Sequence, residues 1–174
     1  MIVTETKRLI LKQFSEEDAE GFYLMNLDKE VLRFTGDKPF SSVEETRAFI
    51  NAYQEYEKNG FGRWSLYLKE NNRYIGFSGL RRSSDTDLVD IGFRIVRDYW
   101  NQGVATESAN ACLELAFDRY KVDKVVARAM INNKASLAVI KKLGMRFQND
   151  FIEGTQVWKQ FELTRQLWSK RLAQ

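Results

Sequence analysis

The sequence lacks the residues on which several common active sites depend. Its 174 residues include no histidine, one cysteine and one proline. The absence of histidine excludes His-based zinc sites, Ser-His-Asp triads and Cys-His dyads. The single cysteine excludes a disulfide framework within the chain. An enzyme of this composition must use carboxylates, hydroxyls, lysines, backbone groups or water as its acids and bases, and we predict no metal site.

The one thiol, Cys112, follows Ala111 and precedes Leu113 in a helical pattern. Small and apolar neighbours predict a buried structural thiol, because no base is available to activate it as a nucleophile.

The chain also lacks long apolar runs and strong net charge. No apolar segment approaches the ~18–20 residues that span a bilayer, and the N-terminus has no signal-like apolar region. We therefore expect a cytoplasmic protein that makes no membrane contact. A net charge of +3 is too small to indicate nucleic acid as the main partner, although it suits a small anionic ligand. With 44% hydrophobic and 29% charged residues, the composition predicts one globular domain over residues 1–174.

Alternation and turn signals divide the chain into strands and helices. The order predicts an α+β fold with a mixed, mostly antiparallel sheet of about seven strands and helices on both faces. One unit, from strand Asp87–Val96 through a long helix to strand Asp123–Ile131, predicts a right-handed crossover between parallel strands. The other expected strands are Thr6–Phe14, Arg63–Glu70, Arg73–Arg82, Met145–Ile152 and Gln156–Arg165. The expected helices begin at Ser15, Lys29, Ser41 or Ser42 (to about Lys58), Gly103 (to about Tyr120) and Asn133. The tail Gln166–Leu172 is expected either to finish a strand or to form a last helical turn.

The stretch Ile91–Phe117 joins an apolar strand to a helix through a short polar loop. The first turn of a helix leaves backbone N–H groups without intrahelical partners, and the helix dipole adds positive charge there. A phosphate can bind such an end without any charged side chain. Gly103 would allow the close approach of the backbone to that phosphate.

Six short motifs, in order along nearly the whole chain, resemble those of one family. They are TKRLILKQFSEEDAE, the IG…GL of Ile75–Leu80, DIGF at Asp90–Phe93, YWNQGVATE at Tyr99–Glu107, NKAS at Asn133–Ser136 and KLGM at Lys142–Met145. Together they resemble the GNAT superfamily of acyl-CoA N-acetyltransferases, and most closely its RimJ/RimL-type branch. The resemblance implies the acyl-CoA N-acyltransferase fold, acetyl-CoA as a small-molecule acetyl donor, and an amine as acceptor.

The resemblance assigns the donor site. The family's pyrophosphate loop falls on Trp100–Ala105, so the N–H groups of Gln102, Gly103, Val104, Ala105 and Thr106 would bind the pyrophosphate. The strand segment from Phe93 through Ile95 to Val96 would hydrogen-bond the pantetheine arm as a further strand does, and Asn133 would reach the same arm. Lys142 is one of several candidates for the adenosine 3′-phosphate, with Arg97, Lys134 and Lys141. Each of these cations is equally well explained as part of a solvated basic face.

The chemistry needs an oxyanion donor, an acid for the leaving thiolate and a neutral amine. We expect a backbone N–H near Ile95 to be the oxyanion donor. Many relatives place a Tyr seven residues after the Asn, but this chain has Ile140 there, so Ser136 becomes the candidate that holds or protonates the sulfur. A serine that only satisfies the N-terminal turn of its helix is the alternative. Asp90 is the candidate base, or a carboxylate that orients the amine.

Residues outside the donor motifs are expected to wall the acceptor site. Most aromatic rings should be core, but Phe34, Phe40 and Trp158 are candidates for contact with substrate. An N-terminal α-amine of a protein is the preferred acceptor, because its pKa of about 7.7–8.0 demands less of a base than lysine does. A polyamine, antibiotic or amino acid acceptor, or a non-catalytic CoA-binding module, remains an alternative. The sequence leaves open a monomer or a homodimer.

Overall fold

One eight-stranded sheet organises the protein. The computed structural model describes residues 1–173. The strand order is β1-β2-β3-β4-β5-β6-β8-β7, and every neighbouring pair is antiparallel except β5 and β6. The strands are β1 Ile2–Glu5, β2 Leu9–Gln13, β3 Arg63–Leu68, β4 Tyr74–Arg82, β5 Val89–Ile95, β6 Lys124–Met130, β7 Arg146–Glu153 and β8 Gln156–Thr164.

Seven α-helices complete the fold within residues 1–173. They are α1 Ala19–Leu27, α2 Lys29–Leu32, α3 Val43–Asn51, α4 Glu55–Asn59, α5 Val104–Glu114, α6 Lys134–Lys142 and α7 Arg165–Leu172. A π-helical turn, Leu115–Arg119, continues α5. None of the helices within residues 1–173 has both the length and the apolar character that a bilayer crossing requires.

The helices cover the two faces of the sheet separately. The side chains of adjacent residues in a strand point to opposite faces of the sheet, and two residues of β4 identify what covers each face. The Ser78 hydroxyl lies 3.5 Å from the Cys112 thiol of α5, whereas the Phe77 ring packs on Phe22 of α1 with centroids 5.4 Å apart. We call these the α5 face and the α1 face. The larger apolar core fills the α5 face, and a smaller cluster around Phe22 fills the α1 face.

The predicted α+β class and the parallel crossover between β5 and β6 are confirmed. Cys112 is fully buried, and its burial raises the pKa of the thiol to about 12, as expected for an inert structural group. Within residues 1–173 the sheet has eight strands, against the expected number of about seven, because Ile2–Glu5 forms an additional edge strand. One expectation needs correction: the single helix expected up to Lys58 is two helices, α3 and α4. Of the two alternatives for the C-terminal tail, the helix is the one observed, and α7 begins at Arg165.

Candidate active site

A gap between the two parallel strands is the central feature of the site. β5 and β6 pair only at Val89–Val125 and Asp90–Val126, although β5 continues to Ile95 and β6 continues to Met130. The strands therefore separate after Asp90. This separation opens a wedge within the sheet, and the backbone of β5 forms one wall of it.

The backbone of β5 offers free hydrogen-bonding groups to this wedge. Val96 N–H donates to the Ile75 carbonyl at 2.9 Å, so the even-numbered residues of β5 direct their backbone groups towards β4. Phe93 and Ile95 consequently direct theirs into the wedge. The Ile95 carbonyl accepts a hydrogen bond from the Trp100 indole at 2.8 Å. The N–H of Ile95 and both backbone groups of Phe93 remain suited to the donor's pantetheine amides.

The predicted donor site needs a correction at Val96. Its N–H is bonded to β4, and its carbonyl accepts from the Tyr99 N–H at 3.0 Å. The N–H of Val96 is therefore used inside the protein, and the candidate residues for the pantetheine arm on β5 are Phe93 and Ile95.

The loop that precedes α5 presents a row of N–H groups. Gly103 occupies the N-cap with φ of 77°, a left-handed conformation that a residue with a side chain adopts at a cost. Glu107 N–H makes the first helical bond, to the Gly103 carbonyl at 3.0 Å. Within residues 1–173, no acceptor is bonded to the N–H groups from Gln102 to Thr106. An anion can occupy this end of the helix, and the residues present fit a pyrophosphate.

A side-chain cluster from the β1–β2 turn supports this loop. Arg8 donates through Nη1 to the Gln102 carbonyl at 2.7 Å and through Nε to Glu107 at 2.6 Å, and the Thr6 hydroxyl donates to Glu107 at 2.6 Å. Partial burial would raise the pKa of Glu107, but the bonds from Thr6 and Arg8 outweigh it and lower the pKa below its usual value. The cluster therefore fixes the turn that carries Gly103. A cavity of about 520 Å³ beside it, between α5 and α7, contains none of the wedge residues.

The N-terminus of α6 brings together two of the predicted residues. Asn133 is its N-cap, and Asn133 Oδ1 accepts from the Ser136 N–H at 3.3 Å. Asn133 Nδ2 lies 3.0 Å from the Ser136 hydroxyl oxygen. Because that amide nitrogen can only donate, the hydroxyl oxygen accepts and its proton stays available for another partner. The same contacts also explain Ser136 as a capping residue, so the geometry supports both interpretations given above.

Lys142 lies at the opposite end of α6, in its last exposed turn. At 1.5 Å per residue the eight steps from Lys134 place it roughly 12 Å along the helix from the Asn133 end. The structure brings Lys142 to none of the other donor residues, so its role in binding the 3′-phosphate stays a prediction.

The expected role of Asp90 as a base also needs correction. This residue lies at the closed end of the wedge with 8% of its side chain exposed. Arg63 donates to Oδ1, and Arg81 donates to Oδ2 through Nε at 3.1 Å and Nη2 at 3.0 Å. Burial would raise the pKa of this carboxyl, but the two guanidinium groups outweigh it and hold the pKa below its usual value. A doubly paired carboxylate of lowered pKa is a poor proton acceptor, so Asp90 is a structural ion-pair partner in this fold.

The three aromatic acceptor candidates have different surroundings. Phe40 packs against Phe22 at 5.6 Å and belongs to the smaller core cluster, so it acts as a core ring. Trp158 lies on β8 opposite Met130 of β6 and stacks on Phe151. Phe34 lines a cavity of about 400 Å³ that Met130 also lines. Phe34 and Trp158 thus flank the end of β6, while Phe40 does not.

The same cavity contains a residue that the sequence did not single out. Asp37 lines it together with Asn132 and Gln156, and Arg94 of β5 donates to Asp37 Oδ2 at 2.6 Å. The loop that holds Phe34 and Asp37 therefore crosses from β5 to the end of β6, over the open part of the wedge. The sequence predicted substrate contacts in this loop from Phe34 and Phe40. It did not predict a role for Asp37, because a single acidic residue in a polar loop has no distinguishing pattern.

An N–H cradle at a helix end, beside a wedge between two parallel strands, defines an acyl-CoA-binding transferase. The comparisons agree, because the family model "Acetyltransferase (GNAT) domain" matches residues 8–146. The chain belongs to the GNAT family and is an acetyl-CoA-dependent N-acetyltransferase. The uncharacterized N-acetyltransferase YoaA of Bacillus subtilis is 26% identical over 147 residues, which are 83% of this chain and 82% of YoaA.

Solved structures share the fold at low identity. A GNAT-family acetyltransferase from Bacillus anthracis has a TM-score of 0.83 and 24% identity, with 95% of this chain and 99% of that chain covered. The spermidine N-acetyltransferase of Vibrio cholerae, in complex with CoA and spermine, has a TM-score of 0.79 and 16% identity, with 94% and 99% covered. RimL, a ribosomal L7/L12 α-N-protein acetyltransferase in complex with CoA, has a TM-score of 0.78 and 16% identity, with 94% and 98% covered. These neighbours extend the fold match over nearly the whole chain.

Proposed function

We propose that this N-acetyltransferase acetylates the N-terminal α-amine of a protein or peptide by direct attack on bound acetyl-CoA. The observation that carries the proposal is the wedge after Asp90: the N–H of Ile95 faces it from β5, and the Asn133–Ser136 pair follows the end of β6. Donor and acceptor would meet in this wedge, the donor against β5 and the acceptor from the α1 face.

The donor half of the reaction uses groups of the backbone and one hydroxyl. N–H groups from Gln102 to Thr106 would hold the pyrophosphate, and Phe93 would bond the pantetheine arm. When the amine attacks the thioester carbonyl carbon, the Ile95 N–H is the candidate donor to the developing oxyanion. As the C–S bond breaks, the Ser136 hydroxyl is the candidate to give its proton to the thiolate. The serine then regains a proton from water, which takes up the surplus proton of the attacking nitrogen.

The amine half of the reaction needs little from the protein. An α-amine has a pKa of about 7.7–8.0, so a useful fraction is neutral near pH 7. Its remaining proton can leave to water after attack. This agrees with the surroundings of Asp90, which is held between Arg63 and Arg81 and is not placed to act as a base.

The acceptor cavity favours a peptide end over a polycation. Its lining combines one carboxylate, Asp37, and one guanidinium, Arg33, with the amides of Asn132 and Gln156 and the apolar groups of Phe34 and Met130. Amide side chains pair well with peptide groups, whereas a polyamine with several ammonium groups would call for several unpaired carboxylates. The cavity lining within residues 1–173 contains one.

A polyamine or another small amine is the second candidate. The fold is shared with a spermidine N-acetyltransferase, which supports the class and not the acceptor.

A single thiol-release assay separates these candidates. Acetyl-CoA is offered with peptides that have free N-terminal Ala, Ser or Met, with the same peptides N-terminally blocked, with spermidine and with an aminoglycoside. We expect CoA release with free peptides and none with blocked ones. Release only with spermidine or the aminoglycoside would refute the peptide acceptor.

A further inference from the structure

Arg94 ties the acceptor loop to the strand that carries the donor. It lies on β5 between Phe93 and Ile95, and its side chain is 12% exposed on the α1 face. Nη1 donates to Asn26 Oδ1 of α1 at 3.1 Å, and Nη2 donates to Asp37 Oδ2 at 2.6 Å. Two charge-assisted hydrogen bonds restrain the guanidinium of Arg94. Through Arg94, the loop that carries Asp37 is therefore held next to the part of β5 that would contact the thioester.

The loop itself is a defined turn. Thr35 accepts the Asp37 N–H at 3.1 Å and donates its hydroxyl to the Leu32 carbonyl at 2.9 Å. Gly36 has φ of 74°, which reverses the chain direction between them. These bonds set the position of the Asp37 side chain before any acceptor arrives.

One oxygen of Asp37 is uncommitted. Arg94 engages Oδ2, and within residues 1–173 no hydrogen bond reaches Oδ1. The side chain is 60% exposed and lines the 400 Å³ cavity at the end of β6. A carboxylate with one oxygen anchored and the other facing a cavity is arranged to accept a hydrogen bond from a ligand.

Two other carboxylates near the wedge have both oxygens engaged. Both oxygens of Asp90 are bonded to Arg63 and Arg81, and both oxygens of Asp28 are bonded to Arg97. Asp37 differs from them in having a free oxygen and in facing the acceptor cavity.

We propose that Asp37 binds the acceptor: its Oδ1 accepts a hydrogen bond from the acceptor's amino group, and Arg94 sets its position. The inference rests on the proposed function and extends it, because it names the group that receives the amine. It also narrows the acceptor class to amines with a single positive charge at the reacting end.

Three variants test the role of the charge. Asp37→Asn keeps an amide oxygen for Arg94 and removes the charge, and Asp37→Ala removes both. Asp87→Asn is the matched control, because Asp87 also uses one oxygen to pair with an arginine, Arg82 at 2.9 Å, but lies on the β4–β5 turn. The left-handed φ of 58° at Asp87 suits Asn.

Steady-state kinetics use acetyl-CoA with a peptide that has a free N-terminal Ala, or with whichever amine the panel returns. We expect kcat/KM for the amine to fall at least tenfold in both Asp37 variants, with KM for acetyl-CoA within twofold of wild type and no change in Asp87→Asn. Near-wild-type kcat/KM in Asp37→Asn would overturn the proposal, because a mere loop anchor survives that change. A parallel rise in KM for acetyl-CoA would overturn it too. An inactive wild type on every amine would instead refute the proposed function.

Discussion

Asp90→Asn separates a structural carboxylate from a catalytic base. The substitution keeps the size of the side chain and one carbonyl oxygen, which can still accept from Arg63. It removes the charge that Arg63 and Arg81 share. If the ion pair is structural, stability should fall while the folded enzyme keeps its turnover number.

The magnitude follows from the burial of the partners. Asp90 has 8% and Arg63 has 16% of its side chain exposed, so the variant leaves a buried guanidinium without its counter-ion. Breaking a buried pair in this way costs about 3–5 kcal/mol. The retained amide bond favours the lower end, and Arg81 adds little because 57% of its side chain is exposed. For a chain of this size, about 3 kcal/mol corresponds to a fall in Tm of roughly 6–12 °C.

The assay pairs thermal unfolding by circular dichroism with kcat measured at 15 °C, where the variant stays folded. We expect the fall in Tm and a kcat within about threefold of wild type. A kcat reduced by 10²-fold or more with an unchanged Tm would refute the reasoning, since that is the cost of losing a general base. Gly92→Ala should also weaken the pair between Arg63 and Asp90. Its Cβ would lie 2.6 Å from Arg63 Nη2, so the guanidinium would have to move.

The pH dependence provides a check on sign. The folded pKa of Asp90 is lowered, so its stabilisation is present above the unfolded value of about 3.9 and is lost as pH falls through the folded pKa. Wild type should therefore lose stability in this acid range more steeply than Asp90→Asn. The free energy of unfolding is measured with urea at pH 5 and pH 3. An equal loss between these pH values in wild type and Asp90→Asn would contradict the assignment of Asp90 as a structural ion-pair partner.

The remaining predictions concern the donor site. Ser136→Ala should lower kcat on the order of 10²-fold with KM for acetyl-CoA unchanged, as expected for loss of an acid; unchanged turnover in the thiol-release assay would remove that role. Gly103→Ala should raise KM for acetyl-CoA about fivefold or more, because the left-handed φ of 77° costs a side chain about 1–2 kcal/mol at the cradle. Gly60→Ala, with φ of 78° at the end of α4, is its control and should lower stability without changing KM. Glu107→Gln should lower stability at pH 7 by about 0.5–1 kcal/mol in urea unfolding, because the pair with Arg8 is partly exposed to solvent.

Local pattern predicts most of the fold and fails where tertiary contacts decide. β1 is a four-residue edge strand with no buried residue, so it carries no alternation signal, and pairing with β2 creates it. The break between α3 and α4 is held by Tyr53, whose hydroxyl accepts the Arg63 N–H at 2.7 Å, and by Tyr56, which accepts the Phe14 N–H at 3.0 Å. No local signal marks these long-range bonds. The polar tail becomes α7 because Thr164 caps it and Trp168 is buried.

The candidate site divides in the same way. The cradle at Gly103 is predictable from a local signature, a glycine between a strand and a helix, whereas the roles of Asn133 and Ser136 follow from the family resemblance. The ion pairs of Asp90 leave no local signal, because its two arginines come from other strands. Asp37 was missed because its importance depends on Arg94, which is 57 residues away in the chain.

The short stretch of pairing between β5 and β6 also links the stability of the protein to its substrate, acetyl-CoA. The backbone groups of Phe93 face the wedge, where acetyl-CoA would bond them in the folded protein only, so bound acetyl-CoA would stabilise the native state over the unfolded chain. At a concentration 100 times Kd, this linkage adds about 2.7 kcal/mol to the free energy of unfolding. The cellular supply of acetyl-CoA would then govern how fast the enzyme turns over and also how much of it escapes proteolysis.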